Sequence, residues 1–126
     1  MTYEEYLNVA DRMSIEEADA IYKSLFEQLD FNDEDITDFY EDVVTRAKKY
    51  ADMRFRWSLM ETQDRLAEDD DRTALHDSFL NALSKMRTVL TAKGKSAAWY
   101  DMIGDSRKRA GDFACYLVLL RSISER

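Results

Sequence analysis

Apolar residues along the chain recur at steps of three and four, the spacing of one helical face. Ile15, Ala18, Tyr22, Leu25, Phe26 and Leu29 make such a stripe and predict a helix near 15–29. Ser14 with Glu17 fits a capping box at its start, in which hydroxyl and carboxylate satisfy each other's orphan amides. Thr2 with Glu5 has the same spacing and predicts an earlier helix near 3–13. Asn32 or Asp33 offers the next N-cap, followed by acids that the helix dipole favours. Ile36, Tyr40, Val43, Ala47, Tyr50 and Trp57 then extend one pattern over about 34–67, with Arg54 interrupting the apolar series.

Glu68-Asp69-Asp70-Asp71 reads as a polar break, after which Leu75, Phe79, Leu83, Met86 and Leu90 predict a helix near 71–92. Gly94 stands where a left-handed C-terminal residue belongs. A short helix from Ser96 through Trp99 and Met102 stops at Gly104, and a last helix begins at Asp105 or Ser106. Its FACYLVLL stretch is apolar all round and has no partner strand elsewhere, so it reads as a buried helix. The expected fold is all-α: a compact bundle of about five helices with one long central helix, forming a single domain over 1–126.

The centre of the long helix carries the most informative pattern. Tyr50, Met53, Trp57 and Met60 line one face, while Ala51, Phe55 and Leu59 lie on another. At 100° per residue Phe55 and Trp57 stand about 160° apart. A helix apolar on opposite sides is buried on both, either centrally in its own bundle or against a second subunit. Tyr50, Met53, Phe55, Trp57 and Met60 are therefore the predicted partner or homodimer contact.

Composition fits this picture. Of 126 residues, 45% are hydrophobic and 12% aromatic, enough for a packed core and against disorder, and the absence of proline with only three glycines disfavours a turn-rich β fold. The longest apolar run, Phe113 to Leu120, is well short of the ~20 residues of a membrane span. The start of the chain has acids where a signal peptide carries bases, so a cytoplasmic setting is expected. The lone cysteine, Cys115, excludes an intramolecular disulfide and, inside an apolar run, reads as core filler.

The net charge of −8 disfavours nonspecific attachment to nucleic acid or anionic lipid, but it is unevenly placed. Through Thr45 there are fourteen acids against two bases; from Arg46 onward there are twelve against sixteen. Packing of the acidic first third beside the basic last third would cancel much of the field. Alternatively, Lys93, Lys95, Arg107, Lys108 and Arg109 face an acidic partner, or make the chain a nucleic-acid-linked regulator.

Motifs for chemistry are incomplete. Lys93-Gly94-Lys95-Ser96 ends like a phosphate-binding loop, but Val89 stands where the first glycine is needed. Asp30, Asn32, Glu34 and Glu41 match calcium-loop positions, yet Asp35 replaces the glycine of the sharp turn. The spacing Asp38-x-x-Glu41 to Glu61-x-x-Asp64 resembles the all-α nucleotide pyrophosphohydrolases, which implies magnesium-dependent hydrolysis by paired carboxylates. The first acid is Asp, however, and on one straight helix Glu41 and Glu61 would lie ~30 Å apart.

Arg72 and His76 share a helical face, and Asp77 is adjacent; the pair is similar to the motif of the HEPN helical ribonucleases, with three intervening residues in place of four to six. One histidine and one cysteine preclude a zinc site of three or four N/S ligands in one chain. Trp99-Tyr100, between two glycines, suits packing over the end of the bundle. The sequence reading is a non-catalytic interaction or self-associating module, without cofactor or metal.

Overall fold

The computed structural model describes residues 12–104 and 106–124, with side chains described as far as residue 122. Its described elements are five helices: α1 (Ile15–Phe26), α2 (Glu34–Ser58), α3 (Thr62–Ala92), α4 (Ala98–Ile103) and α5 (Arg107–Ser124). The all-α class follows as the periodicity predicted. The helix predicted over 3–13 lies outside the described residues, apart from Arg12 and Met13.

Capping chemistry sets the starts of α1 and α2. The Glu17 amide donates to Ser14 Oγ at 3.1 Å, the first half of the expected box, while the Glu17 carboxylate accepts from the Ser14 hydroxyl at 3.4 Å in place of the Ser14 amide. Asp33 Oδ1 accepts from the amides of Asp35 and Ile36 at 3.0 and 3.3 Å. Gly94 and Gly104 take φ values of 78° and 71° just beyond α3 and α4, where an L side chain would be strained.

The middle of the chain departs from the sequence expectation. The long helix predicted to run to residue 67 ends at Ser58, and the break predicted at 68–71 lies inside α3, which has 31 residues and is the longest helix. Two local features close α2. The amides of Leu59 and Met60 donate to the carbonyls of Arg56 and Trp57, three residues back, tightening the last turn. Arg65 Nε, from the first turn of α3, donates to the Trp57 carbonyl at 3.0 Å. That cap comes from across the turn and needs neither glycine nor proline. The acidic run stays helical because solvent and bases accommodate its charge: Glu68 pairs with Arg56, and Asp69 with Arg72, each at 3.0 Å.

With the break at 59–61, α2 and α3 form an antiparallel hairpin. Arg46 reaches Ser78, Tyr50 meets His76 and Phe79, and Trp57 lies beneath Arg72 and Arg65. The other side of α2 packs on α5, which α1, α3 and α4 also contact. From Ala110 to Leu119 every residue of α5 is buried, which explains why its sequence is apolar all round. The two-sided character of α2 is thus satisfied largely inside one chain, between α3 and α5.

Asp112, in the heart of α5, is the polar exception. Its carboxylate accepts from the amides of Arg12 and Met13 at 2.6 and 2.8 Å and pairs with Arg54 at 2.9 Å. Arg54, which broke the apolar series of α2, is therefore a core residue with a buried counter-ion. Beside it Gly111 leaves room for the guanidinium, because a Cβ there would collide with the Arg54 side chain.

Electrostatic cancellation between the ends of the chain is direct. Lys93 bridges Asp33 at 2.8 Å and Asp35 at 3.6 Å, Arg109 pairs with Glu17 at 3.0 Å, and Arg121 with Glu41 at 2.7 Å. Tyr116 adds a 2.6 Å hydrogen bond to Asp19. No helix among the described residues is long and apolar enough to cross a membrane.

Candidate functional site

Five residues near the end of α2 formed the predicted contact face, and the fold divides them. Tyr50 and Met53 are buried within the chain and are not available to a partner. The Tyr50 hydroxyl donates to the Arg107 carbonyl at 3.2 Å, and its ring packs edge-on against His76. Burial in this setting pushes its phenol above the ordinary value of 10.0. Met53 Sδ accepts a hydrogen bond from Arg56. The sequence placed these two on a partner face because it did not show that α3 and α5 flank α2.

Phe55, Trp57 and Met60 are partly exposed, and Phe55 packs against the chain's own core. Trp57 is held in place: the Arg72 guanidinium carbon sits 4.3 Å and that of Arg65 5.9 Å from its ring centroid, within cation–π range. Two residues join them that the sequence reading did not select. Leu59 in the turn is 73% exposed, and Leu66 in the second turn of α3 is 76% exposed. A signal existed for Leu66, an apolar residue isolated among Asp64, Arg65, Glu68 and Asp69 where no core stripe needs it. The hairpin end therefore combines a fixed indole with exposed aliphatic side chains. Its charges have both signs: Arg56 and Arg65 stand with Glu61 and Asp64.

The basic residues proposed to face an acidic partner do not gather. Lys93 is held by Asp33 and Asp35, whose proximity raises its ammonium pKa above 10.5. Arg109 donates to the carbonyls of Met102 and Ile103 as well as to Glu17. Arg107 reaches Thr73, twenty positions before Lys93 and so about 30 Å away along α3. Lys95 and Lys108 are exposed, and the Lys108 carbonyl accepts from Arg54 at 3.0 Å. Lys93 and Arg109 thus bind α5 and the α3–α4 connection to the acidic first third.

Nor do the carboxylate pairs converge. The antiparallel hairpin sets Arg46 beside Ser78, which leaves Glu61 and Asp64 at its far end, roughly 25 Å from Glu41 along α2. Glu41 is engaged by Arg121, Asp33 caps α2, and Asp30 accepts from the Asn32 amide. Among the described residues no group of three or more His, Cys, Asp and Glu side chains is placed to hold a metal ion. Burial raises the Cys115 thiol to about 12, which suits core packing and not nucleophilic chemistry.

Arg72 and His76 do share a face, and it points inward. Arg72 lies over Trp57 and pairs with Asp69, while His76 is buried under Tyr50 with Nδ1 3.1 Å from Asp77. Arg72 Nε and His76 Nε2 are buried without a hydrogen-bond partner among the described residues. His76 is thus enclosed between α2 and α3, while the Arg72 side chain keeps 26% of its surface exposed.

No family model matches the chain, and neither a curated protein nor a solved structure is similar to it.

Proposed function

We infer that this chain is a non-catalytic helical interaction module that self-associates through the end of the α2–α3 hairpin. The observation that carries the reading is the exposure of Leu59 and Leu66 beside half-buried Trp57 and Met60, at a turn whose ring is already fixed by two arginines. Exposed apolar side chains clustered at one end of a small domain favour association, because pairing removes them from water. The mixed charge of the hairpin end suits a two-fold contact, in which each copy presents both signs to the other. A cytoplasmic setting agrees with a single interior thiol that has no disulfide partner in the chain.

Light scattering across the micromolar range tests this, with Leu59→Glu/Leu66→Glu as the matched variant. Both positions are largely exposed, so the variant keeps the fold and loses association. A strictly monomeric wild type, or a variant that associates as well as wild type, contradicts the reading.

A further inference from the structure

A second apolar surface lies at the opposite end of α2. Phe26, the last residue of α1, is 49% exposed, and Phe31, in the turn that follows, is 50% exposed. Their ring centroids are 5.9 Å apart, so the two form one continuous face. Neighbours hold both rings. Tyr22 stacks on Phe26 at 5.7 Å, Tyr40 meets Phe31 edge-on at 5.8 Å, and Thr37 Oγ1 donates to the Phe31 carbonyl at 3.2 Å. A surface fixed in this way loses little conformational freedom on binding.

Charge distinguishes this face from the hairpin end. Glu27, Asp30, Glu34 and Asp38 are exposed along the same stretch of chain, and none forms an ion pair among the described residues. Most nearby bases are already engaged: Lys93 serves Asp33 and Asp35, Lys23 serves Asp19, and Arg121 serves Glu41. This leaves exposed Lys95, next to the Ser96 amide that donates to Gln28, as one base against four carboxylates. The aromatic pair therefore sits on a stretch where carboxylates outnumber bases. A second copy of the chain would bring the same carboxylates together, and like charges across a contact are unfavourable. A nucleic acid or an anionic lipid surface is repelled for the same reason.

We propose that Phe26 and Phe31 form a docking face for a basic amphipathic protein segment, whose apolar ridge covers the two rings while its Lys and Arg side chains meet Glu27, Asp30, Glu34 and Asp38. The exposed ring faces add cation–π contacts to the arriving bases. Tyr40 lies about 27 Å from Ser58 along α2, so this face is separate from the hairpin end and both can be occupied at once.

Fluorescence anisotropy with a labelled Leu/Lys amphipathic helical peptide tests the proposal on the full chain. Saturable binding is expected, weakened at least about tenfold by Phe26→Ser/Phe31→Ser and by Asp30→Asn/Glu34→Gln/Asp38→Asn. A peptide with the same lysines but alanine for leucine binds about tenfold more weakly, and a Leu/Glu peptide does not bind. Leu59→Glu/Leu66→Glu leaves the affinity unchanged, which separates this site from self-association. Should the double serine variant fail to fold, amide shift mapping on the wild-type chain replaces it: perturbations confined to residues 22–40 support the proposal. No saturable binding, equal binding of the Leu/Glu peptide, undiminished binding by the serine variant, or perturbations spread over the whole acidic surface would overturn it.

Discussion

Arg54 on α2 and Asp112 on α5 form an ion pair with 2.9 Å between Nη2 and Oδ1, in which the carboxylate has no exposed surface and the arginine side chain only 14%. The second carboxylate oxygen holds the amides of Arg12 and Met13, so one buried side chain fixes the α2–α5 interface and the entry into α1. Desolvating two charges is costly, and such a pair specifies geometry more than it adds stability. Removing one partner is a different matter, because the other charge is left buried alone. Asp112→Ala is expected to lower unfolding free energy by about 3–5 kcal/mol in urea denaturation. Arg54→Met/Asp112→Leu is expected to recover only the part due to the stranded guanidinium, since the Arg12 and Met13 amides still lose their acceptor. A loss within about 1 kcal/mol for Asp112→Ala would contradict this role.

Gly111 offers a sign test. In a helix, glycine to alanine ordinarily gains up to ~1 kcal/mol. Here the added methyl meets the Arg54 side chain, so Gly111→Ala is expected to destabilise by about 1–3 kcal/mol. In an Arg54→Ala background the same change should become neutral or favourable, measured as a double-mutant cycle. Destabilisation of equal size in both backgrounds would locate the cause elsewhere.

Much of the fold was legible because periodicity and caps are local. Ser14, Asp33 and Gly94 act where their chemistry predicts, and FACYLVLL is the buried helix its composition requires. The α2–α3 break was not legible, since Arg65 caps Trp57 from across the turn and no residue type at 59–61 signals a stop. Four consecutive acids were a stronger local cue than that cap, and they proved to be a solvated helix surface. The expected contact face divides for the same reason. Helical spacing identified which residues share a face but not what covers it: α3 and α5 cover Tyr50, Met53 is buried, and Trp57 and Met60 stay partly exposed.

The acid limb of stability has a defined sign. Asp33 titrates below its ordinary 3.8, chiefly through the hydrogen bond from Lys93, and Glu17 below 4.5 through that from Arg109. A depressed carboxylate stabilises the fold fully above its unfolded pKa and loses that contribution as pH falls through the folded value. Thermal stability should therefore decline below about pH 4. Lys93 has the opposite sense: its raised pKa stabilises fully below 10.5 and is lost as pH rises through the folded value. Carboxyl NMR should show Asp33 returning toward 3.8 in Lys93→Met. An unshifted Asp33 in the wild type would remove the basis of this claim.

Cys115 should be inert while the chain is folded. Its thiol is fully buried and raised to about 12, so little thiolate forms at neutral pH and reagents have no access. Ellman's reagent is expected to react only as fast as the protein unfolds, and to react fully in denaturant. Rapid labelling under native conditions would show that α5 is not enclosed as described.

Self-association through the hairpin end is tested most directly by sedimentation equilibrium of the wild type beside Leu59→Glu/Leu66→Glu. The wild type should move from the 14.8 kDa monomer toward twice that mass as concentration rises through the micromolar range, while the folded variant stays monomeric. A wild type that remains at 14.8 kDa throughout, or a variant that assembles like it, contradicts the account.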